Sequence, residues 1–347
     1  MRGKGFAGRT PIVTLILLLV VFAALLSGCG QGQKESTGGG QEKPKLEFKV
    51  GHVTQSNHPY HLSAEAFARK VAEKSGGRIK ITIYPARQLG DDKQLLEGVM
   101  SGTQDMALVS NSMFDAYTPV LAGLQLPWLI TDYDIEQKVL QSDVVRRMLD
   151  KLEAYNMKGL AIYEGGIRDM IFARKKVTAP ADVAGMKFRV PPSEVIKDWA
   201  QAMGVNPLPL PYGDIYNALQ TGMVDGMEMN PSSVYSEKLY EVSKYLMDSN
   251  EFPFPVVLVM NLNKWKSLSA EDQKILQEAA WEAIGDSIKI NKDEEVKDLE
   301  FIRSHGMEVY AVDMASWKEK VKPVYDKWMA KDPLIKELVE KVQEKKI

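Results

Sequence analysis

The chain has 347 residues, a length that suits two domains, with 45% apolar residues to fill sizeable cores and an ordinary globular share of charge, 26%. Its formal net charge is −2, and it has no basic patch of the kind nucleic acids require, which excludes a polyanion partner. A single cysteine, Cys29, excludes an intramolecular disulfide and any structural site built on several cysteines.

The N-terminus has the layout of a secretory signal. Arg2, Lys4 and Arg9 precede an uncharged apolar run, Ile12 to Leu26, that is short of the roughly 20 residues a membrane span needs. Without residues 1–28, which hold no acid, the net charge of −2 becomes −5. The run ends in Leu26-Ser27-Gly28-Cys29, which resembles a bacterial lipobox. Cleavage before Cys29 would leave its thiol to carry diacylglycerol. The competing reading is a plain membrane anchor followed by an incidental cysteine. Residues 29–45, rich in Gly, Gln, Lys, Glu and Ser, are expected to form a flexible tether.

The folded body is expected to begin near Leu46. Phe48 and Val50 alternate with charged residues and predict a strand ending near Gly51. Ala64, Phe67, Ala68, Val71 and Ala72 share one face of a helix that Ser75-Gly76-Gly77 stops. Ile79, Ile81 and Ile83 predict a second strand, Asp91 and Asp92 open a short helix, and Met106 to Val109 is a third strand running into Ser110-Asn111-Ser112. This alternation signals an α/β domain with parallel strands, where ligands bind beyond the carboxyl ends of the strands. Three polar clusters fall at such ends: His52 to Tyr60, Gly90-Asp91-Asp92, and Ser110-Asn111-Ser112. Each also reads as ordinary turn chemistry. His52, His58 and His61 lack a ligand pattern on one helix face, so no metal and no cofactor is expected.

A single helix is predicted between Thr131 and Tyr155, then a strand from Leu160 to Tyr163 that delivers the chain into Gly165-Gly166-Ile167-Arg168. Further strands are predicted at Phe188–Val190, Val205–Leu210 and Val224–Met229, with helices from Ser193 to Met203 and from Asp214 to Thr221. Phe252 to Asn261, proline-rich at its start, reads as an extended crossing back to the first domain. Ser269 with Asp272 opens a capping box for a helical period that persists to about Ser304, a helix roughly 50 Å long that would span both domains. A strand near Glu308 to Val312 and helices around Trp317–Trp328 and Leu334–Val342 complete the chain.

Arg168 and Arg189 each stand beside backbone-fixing residues, Gly165-Gly166 and Pro191. Arginine presents five donors in a rigid, permanently charged fork that matches a carboxylate. Asn230, after an apolar strand and before Pro231, could complete a carboxylate's hydrogen-bonding shell. The stretch 165–230 therefore reads as a pocket for a small organic acid. There is no Gly-x-Ser-x-Gly, His-Glu-x-x-His or Gly-x-x-x-x-Gly-Lys, so no catalytic motif marks an enzyme.

From about Leu46 onward the chain resembles the solute-binding subunit of tripartite ATP-independent periplasmic (TRAP) transporters, the DctP-type receptors. The segments that carry the resemblance include Ile81-Thr82-Ile83-Tyr84-Pro85, Gln88-Leu89-Gly90-Asp91-Asp92, Leu126-Pro127-Trp128, Met186 to Pro191, Ala218 to Gly222, Val224-Asp225-Gly226 and Glu228 to Pro231. The resemblance implies a two-lobed α/β fold like that of periplasmic binding proteins, with a long domain-spanning helix. It implies lobes of 46–164 with about 256–295, and of 165–255 with about 296–347. It implies an extracytoplasmic receptor, lipid-anchored through Cys29, that closes on an organic acid and hands it to small and large permease subunits driven by an ion gradient. Arg189 falls on the family's carboxylate clamp, Arg168 on a second arginine, Asn230 on an inward-facing asparagine and Tyr212 on an aromatic position. The segment from Asp225 to Asn230 is one residue longer than the family's usual spacing. Glu228 is expected to pair with an arginine or a ligand hydroxyl, and Ser110, Asn111 and His52 are candidates from the first lobe. Met170, Phe254 and Trp128 are expected to pack the core or hinge. An ABC-type or sensory binding lipoprotein and a secreted enzyme acting on acids are the alternative readings.

Overall fold

A computed structural model describes residues 45–347. The expected signal segment, Cys29 and the tether up to residue 44 lie outside the described residues.

The first sheet begins as the periodicity predicts: β1 (Leu46–Gly51), α1 (Pro59–Lys74), β2 (Ile79–Tyr84), α2 (Asp92–Ser101) and β3 (Met106–Ser110). β1 pairs in parallel with both β2 and β3, and Phe48, Val50, Ile79 and Ile81 are all buried. α2 opens on a full capping box: the Asp91 carboxylate accepts from the Gln94 N–H, and the Gln94 side chain accepts from the Asp91 N–H. Gly102, at φ 86°, closes it in the left-handed conformation that glycine adopts at low cost.

The single helix expected between residues 131 and 155 is broken into α3 (Tyr133–Leu140), α4 (Asp143–Asp150) and a 3₁₀ turn, Lys151–Tyr155. The break lies at Ser142, whose hydroxyl accepts from the Val145 N–H and starts a new helix. The apolar period runs on across it, which is why the pattern alone reads as one helix.

β4 (Met157–Glu164) follows, and then β5 (Arg168–Phe172), β6 (Lys187–Val190), α5 (Glu194–Met203), β7 (Asn206–Pro209), α6 (Ile215–Gln220), β8 (Gly226–Met229), α7 (Pro231–Ser236) and β9 (Tyr245–Phe252). The chain returns through β10 (Pro255–Asn261), α8 (Leu262–Lys266) and α9 (Ala270–Ser304), and ends with β11 (Glu308–Tyr310), α10 (Ala315–Lys320), α11 (Lys322–Met329) and α12 (Pro333–Gln343). Two sheets result: five strands in the order β2-β1-β3-β10-β4, and six in the order β11-β9-β5-β8-β6-β7. β10 runs antiparallel to both β3 and β4 and so stands inside the first sheet. The core of the second sheet is an aromatic stack, with Trp199 set 5.9 Å from Phe188 and 5.4 Å from Phe252, ring centre to ring centre.

α9 is 35 residues long, and the Ser269 hydroxyl caps it by accepting from the Asp272 N–H. Its first half packs on α1 and β4, where Tyr163 donates to the Ala280 carbonyl, and its second half packs on α7 and β11. Near its end Phe301 meets Tyr235, with ring centres 4.7 Å apart. One helix therefore touches both sheets. α12, in a range expected to belong to the second lobe, instead packs against α4 and the turn at Val120–Gln125 beside the first sheet. There Ile335 lies against Gly123, and Arg147 of α4 pairs with Glu337. Among the described residues no helix is long and apolar enough to cross a membrane.

Candidate functional site

Glu228 is fully buried on β8, between the strands that carry the two arginines. Its Oε2 lies 3.2 Å from the Arg168 Nε and its Oε1 lies 3.4 Å from the Arg189 Nη1. A charged carboxylate without partners would be very costly here, and the two guanidiniums supply them. Burial pushes the Glu228 carboxyl up, while the two arginines pull it back down. Two positive charges thus face one negative charge in a space closed to bulk water.

Each arginine is further fixed. Arg189 donates from Nε and Nη2 to the Leu210 carbonyl at 3.1 and 2.8 Å, so three of its five donors are engaged inside the protein. Burial lowers its pKa to about 10, and it stays charged at neutral pH. Arg168 donates to the Met229 sulfur at 2.9 Å, and its guanidinium carbon lies 3.7 Å from the centre of the Phe254 ring. Phe254 is itself held at the crossing between the sheets: its N–H donates to Glu164 Oε1, and its carbonyl accepts from Gly165. Gly166, at φ 116°, makes the turn between β4 and β5. A Cβ there would stand 2.9 Å from the Asn230 Cβ, so the position needs glycine for both its backbone and its space.

Arg168 and Arg189 face a cavity of about 300 Å³ between the two sheets. Tyr212 and Ser110 also line it, so four of the eight residues expected to contact a ligand share its wall. The remainder comes from α2 and its cap (Asp91, Asp92, Lys93, Leu96), from the turn after β3 (Met113, Ala116, Tyr117) and from Pro191, Pro192, Pro211 and Phe254. Phe254, expected only to pack the hinge, belongs to the wall. Asp92 accepts from the Ser110 N–H at 3.3 Å, and burial lifts its carboxyl to about 7 against the pull of that bond. The proximity of Asp91-Asp92 to a strand end was the available signal for it, and turn chemistry masked that signal, since Asp91 is also a helix cap.

The other four expected contacts do not reach the cavity. Asn230 spends its amide on the Gly165 carbonyl, 2.8 Å away, and so ties the end of β8 to the β4–β5 turn. The Asn111 amide donates to Leu121 O and Gln125 Oε1 inside the first lobe. His52 lies 3.0 Å from His61 and 3.3 Å from Thr54, ring nitrogen to side chain, and burial lowers its pKa to about 3, so it is neutral. Glu228 stands behind the arginines rather than beside the open space. Sequence order cannot separate these from their neighbours, because adjacent residues at a strand end point different ways.

Contacts between the two sheets' loops ring the cavity. Asp115 accepts from the Ser193 hydroxyl at 2.7 Å and from the Val195 N–H at 3.3 Å, which places it at the start of α5. Glu237 meets Arg87 and accepts from Gln55 at 3.3 Å. His58, whose Nδ1 accepts from the Tyr60 N–H, lies 3.0 Å from the Ser233 hydroxyl, which also accepts from Tyr212. No group of His, Cys, Asp or Glu among the described residues is arranged to hold a metal.

Comparison with known proteins agrees with this architecture. Residues 50–332 match the model of the family described as bacterial extracellular solute-binding protein, family 7 (DctP). The C4-dicarboxylate-binding periplasmic protein DctP of Rhodobacter capsulatus is 31% identical over 286 residues, covering 81% of this chain and 86% of that protein. The 2,3-diketo-L-gulonate-binding periplasmic protein YiaO of Escherichia coli is 30% identical over 262 residues, 76% of this chain and 80% of the relative. A TRAP periplasmic solute-binding protein from a Bradyrhizobium species, solved in complex with D-galacturonate, superposes with a TM-score of 0.82 at 29% identity, over 86% of this chain and 99% of that one. With a match through nearly all the described residues, two sheets joined by crossing strands, and a cavity based on paired arginines, this chain belongs to family 7 of the bacterial extracellular solute-binding proteins, the solute receptors of TRAP transporters.

Proposed function

We propose that this receptor binds a small organic acid between its two sheets, with the acid's carboxylate against Arg168 and Arg189. The observation that carries the reading is the pair of buried arginines sharing the Glu228 carboxylate, with Asp92, lifted to about 7, as the other acid beside them, so that the cavity base is net positive while Asp92 is protonated. A ligand carboxylate supplies the missing charge and the hydrogen-bond acceptors at once. The named relatives point the same way, since C4-dicarboxylates, diketogulonate and galacturonate share a carboxylate and little else. Tyr212 and Ser110 flank the bound acid from the second and first lobes. Asn230, Glu228, Asn111 and His52 act behind the wall, by holding the turns and the arginines that form it.

We place the lobes at 46–164 with about 256–295 and at 165–255 with about 296–347, with α12 packed against α4 of the first. They close about Gly165-Gly166 and Phe254, and the acid stabilises the closed form because both lobes touch it only there. The loaded receptor hands its acid to a small and a large membrane subunit, and diacylglycerol on Cys29 keeps it at the outer face of the cell membrane. The test is equilibrium titration of the full chain with organic acids, neutral sugars and peptides, repeated with Arg168→Ala and Arg189→Ala. Binding of an acid that both variants lose is expected. Binding of a neutral sugar or peptide in place of every acid would overturn the reading.

A further inference from the structure

We propose that the acid is a monocarboxylate with a compact apolar body, an aryl or branched alkyl group, rather than a polyhydroxylated or dicarboxylic one. This rests on the carboxylate reading above and narrows it.

The charge count at the base allows one carboxylate. Arg168 and Arg189 offset Glu228 and retain one positive charge. A second carboxylate on the same ligand would find no further cation inside the cavity. The only other one on the wall, Lys93, projects into solvent at the rim, three-quarters exposed. Within the cavity the second carboxylate would instead face the acids Asp91 and Asp92, and Asp92, lifted to about 7, opposes it once ionised.

The polar groups on the wall are also few, and several are engaged. The Ser110 hydroxyl donates to Ser112, Tyr212 donates to Ser233, one Asp92 oxygen accepts from Ser110, and Arg189 has given three donors to Leu210 and Glu228. A sugar acid brings several hydroxyls, each needing a donor or an acceptor once water has left. Away from the arginines the surface instead presents Leu96, Met113, Tyr117, Pro191 and Phe254, side chains that gain by covering apolar area. The volume of about 300 Å³ sets the size: a ring or a short branched chain, not an extended one.

Titration calorimetry of the full chain decides it, with phenylacetate, benzoate and 4-methylpentanoate set against D-galacturonate, D-erythronate and succinate. The expected result is that at least one apolar acid binds ten times more tightly than any of the other three. If galacturonate, erythronate or succinate binds more tightly than every apolar acid, this inference is wrong and the carboxylate reading stands. If no acid of either set binds while a neutral sugar does, both fall together.

Discussion

Replacing Glu228 by glutamine tests the arrangement of charges at the cavity base. The substitution keeps the shape and deletes the one anion that two buried arginines share, at 3.2 and 3.4 Å. Removing one partner from a buried ion pair costs about 3–5 kcal/mol, because the charge left behind is neither solvated nor paired. In a protein of this size about 1 kcal/mol moves the melting temperature by roughly 2 °C, so the ligand-free variant should melt about 6–10 °C below the parent. The same deletion makes the net charge at the base more positive by one. A bound carboxylate then relieves more repulsion than it does in the parent, and its affinity should rise. Differential scanning calorimetry with and without saturating acid reads both effects: a lower starting melting temperature and a larger upward shift on binding. A variant that melts within about 2 °C of the parent, with an equal shift from the acid, would refute the shared-charge account. A lower melting temperature alone would show only that Glu228 is structural; the enlarged shift is the part specific to the site.

Truncating Arg189 to alanine should cost about 2–5 kcal/mol of acid binding, a loss of roughly 30-fold to several thousand-fold by calorimetry, because it removes a charge whose partner is desolvated. Binding should also weaken as pH rises from about 6 to 8. The Asp92 carboxyl, lifted to about 7, is protonated at the low end and ionised at the high end, where it opposes the ligand's charge. Titrations across that range should show a several-fold loss that Asp92→Asn abolishes. The stability contribution of Asp92 has the matching sign: an acid whose folded pKa is raised favours the fold below its unfolded value of about 4, and that contribution is withdrawn as pH climbs to about 7. Asp115→Ala removes the acceptor that Ser193 and Val195 share across the cavity rim, and should weaken acid binding a few-fold while small-angle scattering reports a wider ligand-free molecule. Gly166→Ala forces a side chain into a left-handed backbone and against Asn230, and should lower the melting temperature by several degrees in denaturation scans.

The elements readable from sequence are those whose pattern and boundary signals agree. β1, β2 and α2 combine strict alternation or a helical face with glycine stops and the Asp91 cap, and their limits match to within a residue or two. α9 was legible because Ser269 opens it and its apolar period holds through Ile288, although beyond that point Val296 is exposed and Asn291 and Asp298 are buried beside Ile302. β9 was missed for a specific reason: Asp248, Ser249, Asn250 and Glu251 sit in the middle of a strand inside the second sheet. Those polar groups are satisfied by tertiary partners, with Ser249 N–H donating to Asp169 and the Ser249 hydroxyl to Glu251, which no local pattern announces. β5 and α7 are short, and Arg168 at the head of β5 reads as a loop arginine until the strand's partners are known. In the site, the two arginines were legible from their neighbours. The apolar wall was not, since Leu96, Met113 and Phe254 look like any core residues until the fold leaves an open space beside them.

The position of β10 has a consequence for how the chain reaches this structure. β3 and β4 are complete by residue 164, yet the strand that bridges them begins at residue 255, after all of β5 to β9. A chain leaving a translocation pore N-terminus first therefore holds two unpaired inner edges, Met106–Ser110 and Met157–Glu164, while the whole second sheet emerges. Met106–Val109 and Leu160–Ile162 are apolar runs, and such edges have the character of strands that recruit other chains. Assembly of the first sheet must wait for a distant segment, which is slow and exposed to misassociation. The interleaving also joins the fates of the two halves: a fragment ending at residue 164 lacks the strand that joins β3 to β4, and damage to the second sheet delays closure of the first. Heating should accordingly melt both sheets in one transition, with no step at which one lobe stands alone.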